Sequence, residues 1–163
     1  MNHDALNRDA NHITIRHVRP QDRHAWEPLY RQYADFYRVV VDDTIVQRTW
    51  SWLMDPEHPV EGLVAESENG ELVGLAHFRP VPETLIGRDS GFLDDLYVPP
   101  SQRGTGTGRA LIAAVTTIAR SRGWPFVRWV TANDNATARR LYDGIAQETA
   151  WVTYDLTVDA LTP

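Results

Sequence analysis

The chain has no cysteine among its 163 residues. That removes disulfides, thiolate nucleophiles and cysteine-bound zinc together, and makes a cytoplasmic location the default expectation. Covalent catalysis through a cysteine is thereby excluded, although a serine route stays open. Lysine is absent too, since all 16 basic residues are arginine, and nothing functional follows from that. No apolar run approaches the ~20 residues that a membrane span requires. Residues 1–12 are polar, lack the apolar core of a signal peptide, and read as a frayed tail ahead of one domain over 13–163. The six histidines (His3, His12, His17, His24, His58 and His77) are scattered without HExxH or paired metal spacing, so no metal is expected.

What is present suits a folded domain. Hydrophobic residues make up 42% of the chain, which argues against disorder. A chain of this length can bury roughly 70% of its unfolded surface. The net charge of -6 argues against a general nucleic-acid binder. Its distribution is uneven: residues 35–95 hold 13 acids against 4 arginines, and residues 96–140 hold 7 arginines against one acid, Asp134. Solvated surface charge explains this without function. The functional alternative is a cationic acceptor met by the first half and a polyanionic cofactor met by the second.

Residues 13–18 alternate and carry β-branched side chains, predicting a strand. Pro20-Gln21-Asp22 then opens a helix with Trp26, Leu29, Tyr30 and Tyr33 at helical spacing. Tyr30, Tyr33, Phe36 and Tyr37 would line an acceptor groove, although helix packing is the simpler account. A second helix is expected over 44–54. Strands at 62–66 and 72–78 flank the turn signal Asn69-Gly70. Pro80 and Pro82 predict a loop or irregular strand end over 79–89. A strand over 92–98, a helix over 106–122, a buried strand over 126–130, a helix over 135–142 and a closing strand over 152–158 complete an α/β layer structure of mixed pairing.

The run Arg103-Gly104-Thr105-Gly106-Thr107-Gly108 lies between a strand and a helix. Amides of a helix's first turn and its positive dipole end meet anions there, and glycine lets the backbone approach them. A nucleoside-triphosphate loop is excluded because Arg109-Ala110 follows Gly108, with no lysine or magnesium-binding hydroxyl. A dinucleotide fingerprint is excluded because Gly104, Gly106 and Gly108 are spaced by two and the next strand carries Trp129, Val130 and Thr131 instead of an acid. A flexible turn before a helix is the bland alternative.

The flanking residues select among these. Phe92-Leu93-Asp94-Asp95-Leu96-Tyr97-Val98-Pro99, then Arg103, Gly104, Gly106, Gly108, Arg109, Ala110 and Leu111, resembles the signature motif of the GNAT N-acetyltransferase superfamily. Its pattern (Gln or Arg, two residues, Gly, one residue, Gly or Ala) is met by Arg103, Gly106 and Gly108. Asn135, Ala138 and Tyr142 have the spacing of a second family block. The likeness covers residue 72 to the C-terminus well, and the strand over 92–98 looks like that of spermidine/spermine N-acetyltransferases. The resemblance implies a single GNAT-like α/β (α+β) domain, its mixed, mostly antiparallel sheet flanked by helices and splayed to admit acetyl-CoA. It implies that backbone from Arg103 through Gly104, Gly106, Thr107 and Gly108 to Arg109 holds the pyrophosphate. Amides of Leu96 and Val98 would pair with the acetyl carbonyl and pantetheine arm as if the cofactor were an added strand, and Asn135 would touch that arm. A homodimer is compatible with the family.

The reaction sets its own requirements. An aliphatic amine of pKa near 10.4 is neutral in about 4 of 10,000 molecules at pH 7, and deprotonating it costs roughly 4.6 kcal/mol. A base, amide donors for the oxyanion and an acid for the leaving thiolate are needed. By the resemblance, Tyr142 is the general acid; a core tyrosine is the plainer reading. Asp94 is the candidate base, at the position of a glutamate in the polyamine enzymes, with Asp95 at their following aspartate. Strict alternation groups Asp94 with Phe92 and Leu96, and Asp95 with Leu93 and Tyr97; a bulge would reverse part of that. Either carboxylate alternatively only orients a cationic amine or caps a neighbouring amide. His77 would relay a proton or simply be packed.

After Tyr142 the family commonly continues to Gly-Phe, whereas this chain has Asp143-Gly144-Ile145-Ala146. The expected activity is acetylation of a primary amine of a small cationic acceptor by direct attack in a ternary complex, with Asp94 acting directly or through water. Acetylation of a protein N-terminus or lysine, and a non-catalytic acyl-CoA sensor, are the alternatives.

Overall fold

The computed structural model describes residues 7–8 and 13–158. The chain divides into two compact units, one ending at Val130 and the other beginning at Thr131. The first contains a six-stranded sheet whose spatial order follows the sequence: β1 (Asn7–Arg8), β2 (Thr14–His17), β3 (Glu61–Glu66), β4 (Leu72–Glu83), β5 (Arg88–Tyr97) and β6 (Val127–Arg128). Neighbours pair antiparallel except β5 and β6, which are parallel. A parallel pair needs a crossover, and α3 (Thr107–Ser121) supplies it.

Two helices precede the sheet's long hairpin. A 3-10 turn over Pro20–Asp22 leads into α1 (Arg23–Phe36), and α2 (Asp43–Met54) follows. The Asp22 carboxylate accepts from the Arg19 amide (2.7 Å) and from both terminal nitrogens of buried Arg16 (2.7 and 2.9 Å). This ties the start of α1 to β2. Asp42 caps α2 by accepting from the Ile45 amide (2.8 Å), one of the donors that a helix start leaves unpaired. Trp26, Leu29, Val46 and Trp50 from these helices form a core with Leu75 of β4 and Tyr97 of β5.

Helix α3 packs on the other side of β4. A side chain at Gly74 would stand 3.1 Å from Thr107, 3.1 Å from the Tyr97 carbonyl and 3.2 Å from Leu111. Gly74 and Leu75 are adjacent in a strand and so point to opposite faces. The lack of a Cβ at Gly74 lets the first turn of α3 sit against the end of β5.

Several expected elements differ from those found. The loop predicted over 79–89 is strand: β4 and β5 stay paired from Leu75↔Tyr97 to Glu83↔Arg88. Pro80 and Pro82 are tolerated because β3 stops pairing at Glu61↔Phe78, so one edge of β4 beyond that point needs no amide donors. The strand expected over 126–130 is only Val127–Arg128, since β6 meets β5 at just Gly91 and Phe92. The closing strand expected over 152–158 is absent; an alternating pattern makes a strand only where a ladder partner exists. Within the segment expected to be a tail, Asn7 and Arg8 pair with Ile15 and Thr14; the remainder of 1–12 lies outside the described residues. In the second unit, α4 covers Ala136–Asp143, within a residue of the expected helix.

Candidate active site

The glycine run builds an open helix start. A 3-10 turn over Pro100–Gln102 ends β5's exit, and Gly104 and Gly106 then take left-handed φ values of 78° and 92°. Those values favour glycine. Gly106 is the N-cap of α3 and no side chain caps it. The helix's first backbone bond runs from the Ala110 amide to the Gly106 carbonyl (2.9 Å), so the amides of Thr107, Gly108 and Arg109 precede the internal ladder. Thr107 is buried and shares a hydroxyl contact of 2.9 Å with Thr105, whose hydroxyl donates to the Gln102 carbonyl (2.7 Å). Those hydroxyls brace the turn, and Gly104 and Gly106 within it are exposed. Arg109 is exposed beside it. The arrangement fits a pyrophosphate through backbone donors.

Arg103 has a structural duty as well as a place in the loop. Its Nε donates to the Val98 carbonyl (3.1 Å), and its guanidinium lies 5.4 Å from the Phe36 ring centre. It clips the end of β5 to the turn and to α1. Alongside, β5 loses one neighbour: β6 pairs with Gly91 and Phe92, whereas positions 93–97 have β4 alone among the described residues. Leu96 lies on this half-open stretch and Val98 immediately follows it. A strand with one free edge is the geometry that accepts an extended ligand.

The carboxylates come together through a β-bulge. Phe78 pairs with Leu93 and His77 with Asp95, so Asp94 is an extra residue on β5. Bulges commonly redirect side chains in this way. The grouping expected from strict alternation is therefore corrected. Leu93 and Leu96 pair with Phe78 and Ala76 on one face, whereas Phe92, Asp95 and Tyr97 pair with Arg79, His77 and Leu75 on the other. Asp94 joins this second group, since both its carboxylate oxygens accept from Arg79 Nε at 3.1 Å.

Burial pushes the Asp94 carboxyl above its ordinary value. The Arg79 guanidinium opposes this by charge and hydrogen bonding, and Asp95 adds to it. Asp95 accepts from His77 Nδ1 (2.8 Å), and His77 Nε2 accepts from Trp26 Nε1 (3.0 Å). Tyr97 is buried with its hydroxyl donating to Gln32 Oε1 (3.2 Å), and burial pushes its phenol up.

Asn135 and Tyr142 belong to the second unit, at the two ends of α4. The Asn135 side chain is the helix cap, accepting from the Ala138 amide (3.3 Å) and donating to Thr131 Oγ1 (3.3 Å). Tyr142 is half-buried in the last turn. Sequence reasoning missed Arg79, Trp26 and Gly74. Arg79 and Trp26 carry no motif; their spacing to Asp94 and His77 appears only once β4, β5 and α1 are assembled. The glycine at 74 on an otherwise apolar strand was a usable signal of close approach. Among the described residues no group of three His, Cys, Asp or Glu side chains could hold a metal, and no helix is long and apolar enough to cross a membrane.

An open helix start beside a strand with one free edge suits an extended, phosphate-bearing acyl donor, and the comparisons identify the chain as an acyltransferase. Over residues 26–144 the chain matches the Acetyltransferase (GNAT) family, to which it belongs. It is an acetyl-CoA-dependent N-acetyltransferase. It is 32% identical over 143 residues to a D-amino-acid N-acetyltransferase of Saccharomyces cerevisiae, covering 87% of this chain and 89% of that one. It is 38% identical over 118 residues to an aminoglycoside N(6')-acetyltransferase type 1 of Stenotrophomonas maltophilia, covering 70% and 72%. Among solved structures, a ribosomal-protein-alanine N-acetyltransferase from Brucella melitensis biovar Abortus 2308 superposes with a TM-score of 0.75 at 27% identity, over 90% of this chain and 99% of that one.

Proposed function

We propose that the enzyme acetylates a primary amine of a small cationic acceptor by direct attack within a ternary complex, with Asp94 as base and Tyr142 as general acid. The observation that carries the acceptor half is the bulge, which turns Asp94 and Asp95 toward one face of the sheet. Two carboxylates against one arginine attract an ammonium group. A carboxyl whose pKa is raised by burial is also a stronger base once ionised. Asp94 takes the amine proton directly or through a water, and the neutral nitrogen attacks the thioester carbon. The C–S bond then breaks as the tetrahedral intermediate collapses: Tyr142 gives its proton to the departing CoA sulfur, and the acylated nitrogen sheds its second proton, directly or through water, to restore the Tyr142 hydroxyl.

The donor half rests on the loop. Amides from Arg103, Gly104, Gly106, Thr107, Gly108 and Arg109 are assigned to the pyrophosphate. Leu96 and Val98 are assigned to the acetyl carbonyl and pantetheine arm along β5's free edge. Asn135 is assigned to the same arm, a role its capping bonds make secondary to holding α4 in shape.

The relatives named for D-amino acids and aminoglycosides support a small-molecule amine. The ribosomal-protein-alanine enzyme supports a second reading, in which the acceptor is a protein N-terminus. A thiol-release assay with acetyl-CoA against amino acids of both hands, polyamines, aminoglycosides and alanine-started peptides separates these, run beside calorimetric binding of CoA. Turnover on a small amine is expected. Preference for the peptide selects the second reading, binding without turnover indicates a sensor, and no CoA binding defeats the donor-site assignment.

A further inference from the structure

Behind the two carboxylates lies a buried polar chain that the reaction described above does not use. Trp26 and His77 are 0% and 1% exposed. The indole Nε1 carries a hydrogen and has no acceptor capacity, so at 3.0 Å it donates to His77 Nε2. His77 Nε2 must therefore be unprotonated, and the ring's single hydrogen sits on Nδ1. From there it is donated to Asp95 Oδ2 at 2.8 Å. The Asp95 side chain is 26% exposed, so the chain begins in the core and ends at a carboxylate that reaches the surface.

The surroundings hold the ring in this one state. Trp26 and Tyr30 of α1 lie with ring centres 5.8 Å from the imidazole, and Gly62 of β3 faces it across the register. Tyr30 is itself stacked on Trp26 at 4.8 Å and shares a contact with Thr49. The charged groups near the ring are Asp95, Asp94 and, two residues along β4, Arg79. Both ring nitrogens are thus committed. The proton-relay reading of His77 would require Nε2 to accept from elsewhere, and Trp26 already occupies it.

We propose that Trp26–His77–Asp95 is a positioning chain: Trp26 fixes the His77 tautomer, and His77 fixes the Asp95 carboxylate beside Asp94, where it orients the acceptor's ammonium. This deepens the acceptor reading above and rests on it only for the last step. His77 and Trp26 are positioning residues. Asp95 is the group that touches the acceptor, and Asp94 keeps the proton transfer.

The test uses the full chain in two arms. In the first, 15N-labelled protein is examined by two-bond 1H–15N correlation at neutral pH, with His77→Gln identifying its signals among the histidines. A single Nδ1–H tautomer for His77 is expected, and Trp26→Phe should abolish that single pattern. An Nε2–H tautomer or a doubly protonated ring in the unmutated protein overturns the proposal. In the second arm, His77→Leu should lower kcat/KM for the best amine about tenfold or more, mainly through KM, with CoA binding by calorimetry unchanged. His77→Gln can accept from Trp26 and donate to Asp95, and should recover most of the loss. Wild-type kinetics in His77→Leu, or no recovery in His77→Gln, overturns it. Should His77→Leu fail to bind CoA, Trp26→Phe takes its place with the same expected loss in acceptor KM and the same refuting result. An Nδ1–H tautomer alongside an inactive amine panel would leave the chain standing and remove the acceptor assignment instead.

Discussion

At the exit of β5 the proposed donor site offers an anion its backbone, and a few residues earlier on the same strand the proposed acceptor site offers a cation its side chains. In the loop, left-handed Gly104 and Gly106 and the uncapped first turn of α3 expose amides, and Arg103, Thr105 and Thr107 serve to shape that backbone. At the bulge, one inserted residue brings Asp94 to the Arg79–His77 face beside Asp95, and nothing in the amides matters as much as which carboxylate is where. The two sites should therefore fail differently. The loop is vulnerable to a side chain at its left-handed glycines, the bulge to a lost charge.

The sharpest break of that comparison is Asp94→Asn. It should cut kcat by about 10²–10⁴ and leave CoA affinity within twofold by calorimetry. Above Asp94's own titration the deficit should be greatest at the lowest pH and shrink as pH climbs toward the amine's pKa, where the amine loses its proton unaided. The same change should not harm the fold. A carboxyl whose folded pKa is raised contributes stability below its unfolded pKa and loses it as pH rises through the folded value. At pH 7 the ionised group is a cost that asparagine removes, so a Tm equal to wild type or about 2 °C higher is expected. Wild-type turnover at all pH values would remove Asp94 from the chemistry.

Next in size is Gly106→Val, which places a β-branched side chain at φ 92° in the loop proposed to hold the pyrophosphate. Left-handed backbone costs such a residue about 1–2 kcal/mol, and the turn should relax away from the pyrophosphate. CoA affinity should fall about tenfold or more, while the acid limb of the pH–rate profile stays put. A shifted limb would mean that the two sites are not separable.

This contrast also explains what could be read in the sequence. A backbone site leaves a mark on the chain, because only glycine suits Gly104 and Gly106, so the loop and the helix behind it were legible to within a residue. A side-chain site leaves none beyond the residues themselves. Asp94 and Asp95 were visible as a pair, yet their grouping by alternation was undone by a bulge that no local residue announces. The Trp26–His77 bond joins residues 51 apart and requires α1 to be laid on β4 first. The prolines at 80 and 82 misled because proline excludes a paired edge, not an unpaired one. The segment 152–158 misled because alternation specifies a face and cannot supply a neighbour.

Gly74→Ala asks whether the loop can be disturbed from outside its motif. The new methyl would stand about as far from Thr107 and the Tyr97 carbonyl as such contacts tolerate, at 3.1 Å from each. The carbonyl is backbone and yields little, so the first turn of α3 should lift by a few tenths of an ångström. Overpacking of this kind costs about 1–3 kcal/mol. CoA affinity should weaken by about threefold to tenfold, the low end of that cost expressed at the loop, with acceptor KM unchanged when measured at saturating acetyl-CoA. An unchanged CoA affinity would show that the loop tolerates movement of its helix.

The subtlest prediction concerns Arg79→Gln, because it alters a charge without removing a reacting group. Burial raises the Asp94 carboxyl, and Arg79 works against that rise through both its charge and its hydrogen bonds. Glutamine keeps a donor for the carboxylate and loses the positive charge, so the Asp94 pKa should climb further. The acid limb of kcat/KM must then move to higher pH, leaving the plateau rate at or slightly above wild type, since a more basic carboxylate accepts a proton more readily once ionised. Acceptor KM should fall in the same variant, because the ammonium no longer competes with a guanidinium for Asp94. A limb moving to lower pH would mean that Arg79 is not what restrains Asp94. A limb that stays fixed would mean that Asp94 is not the group whose ionisation the rate reports, and the base would then be sought at Asp95.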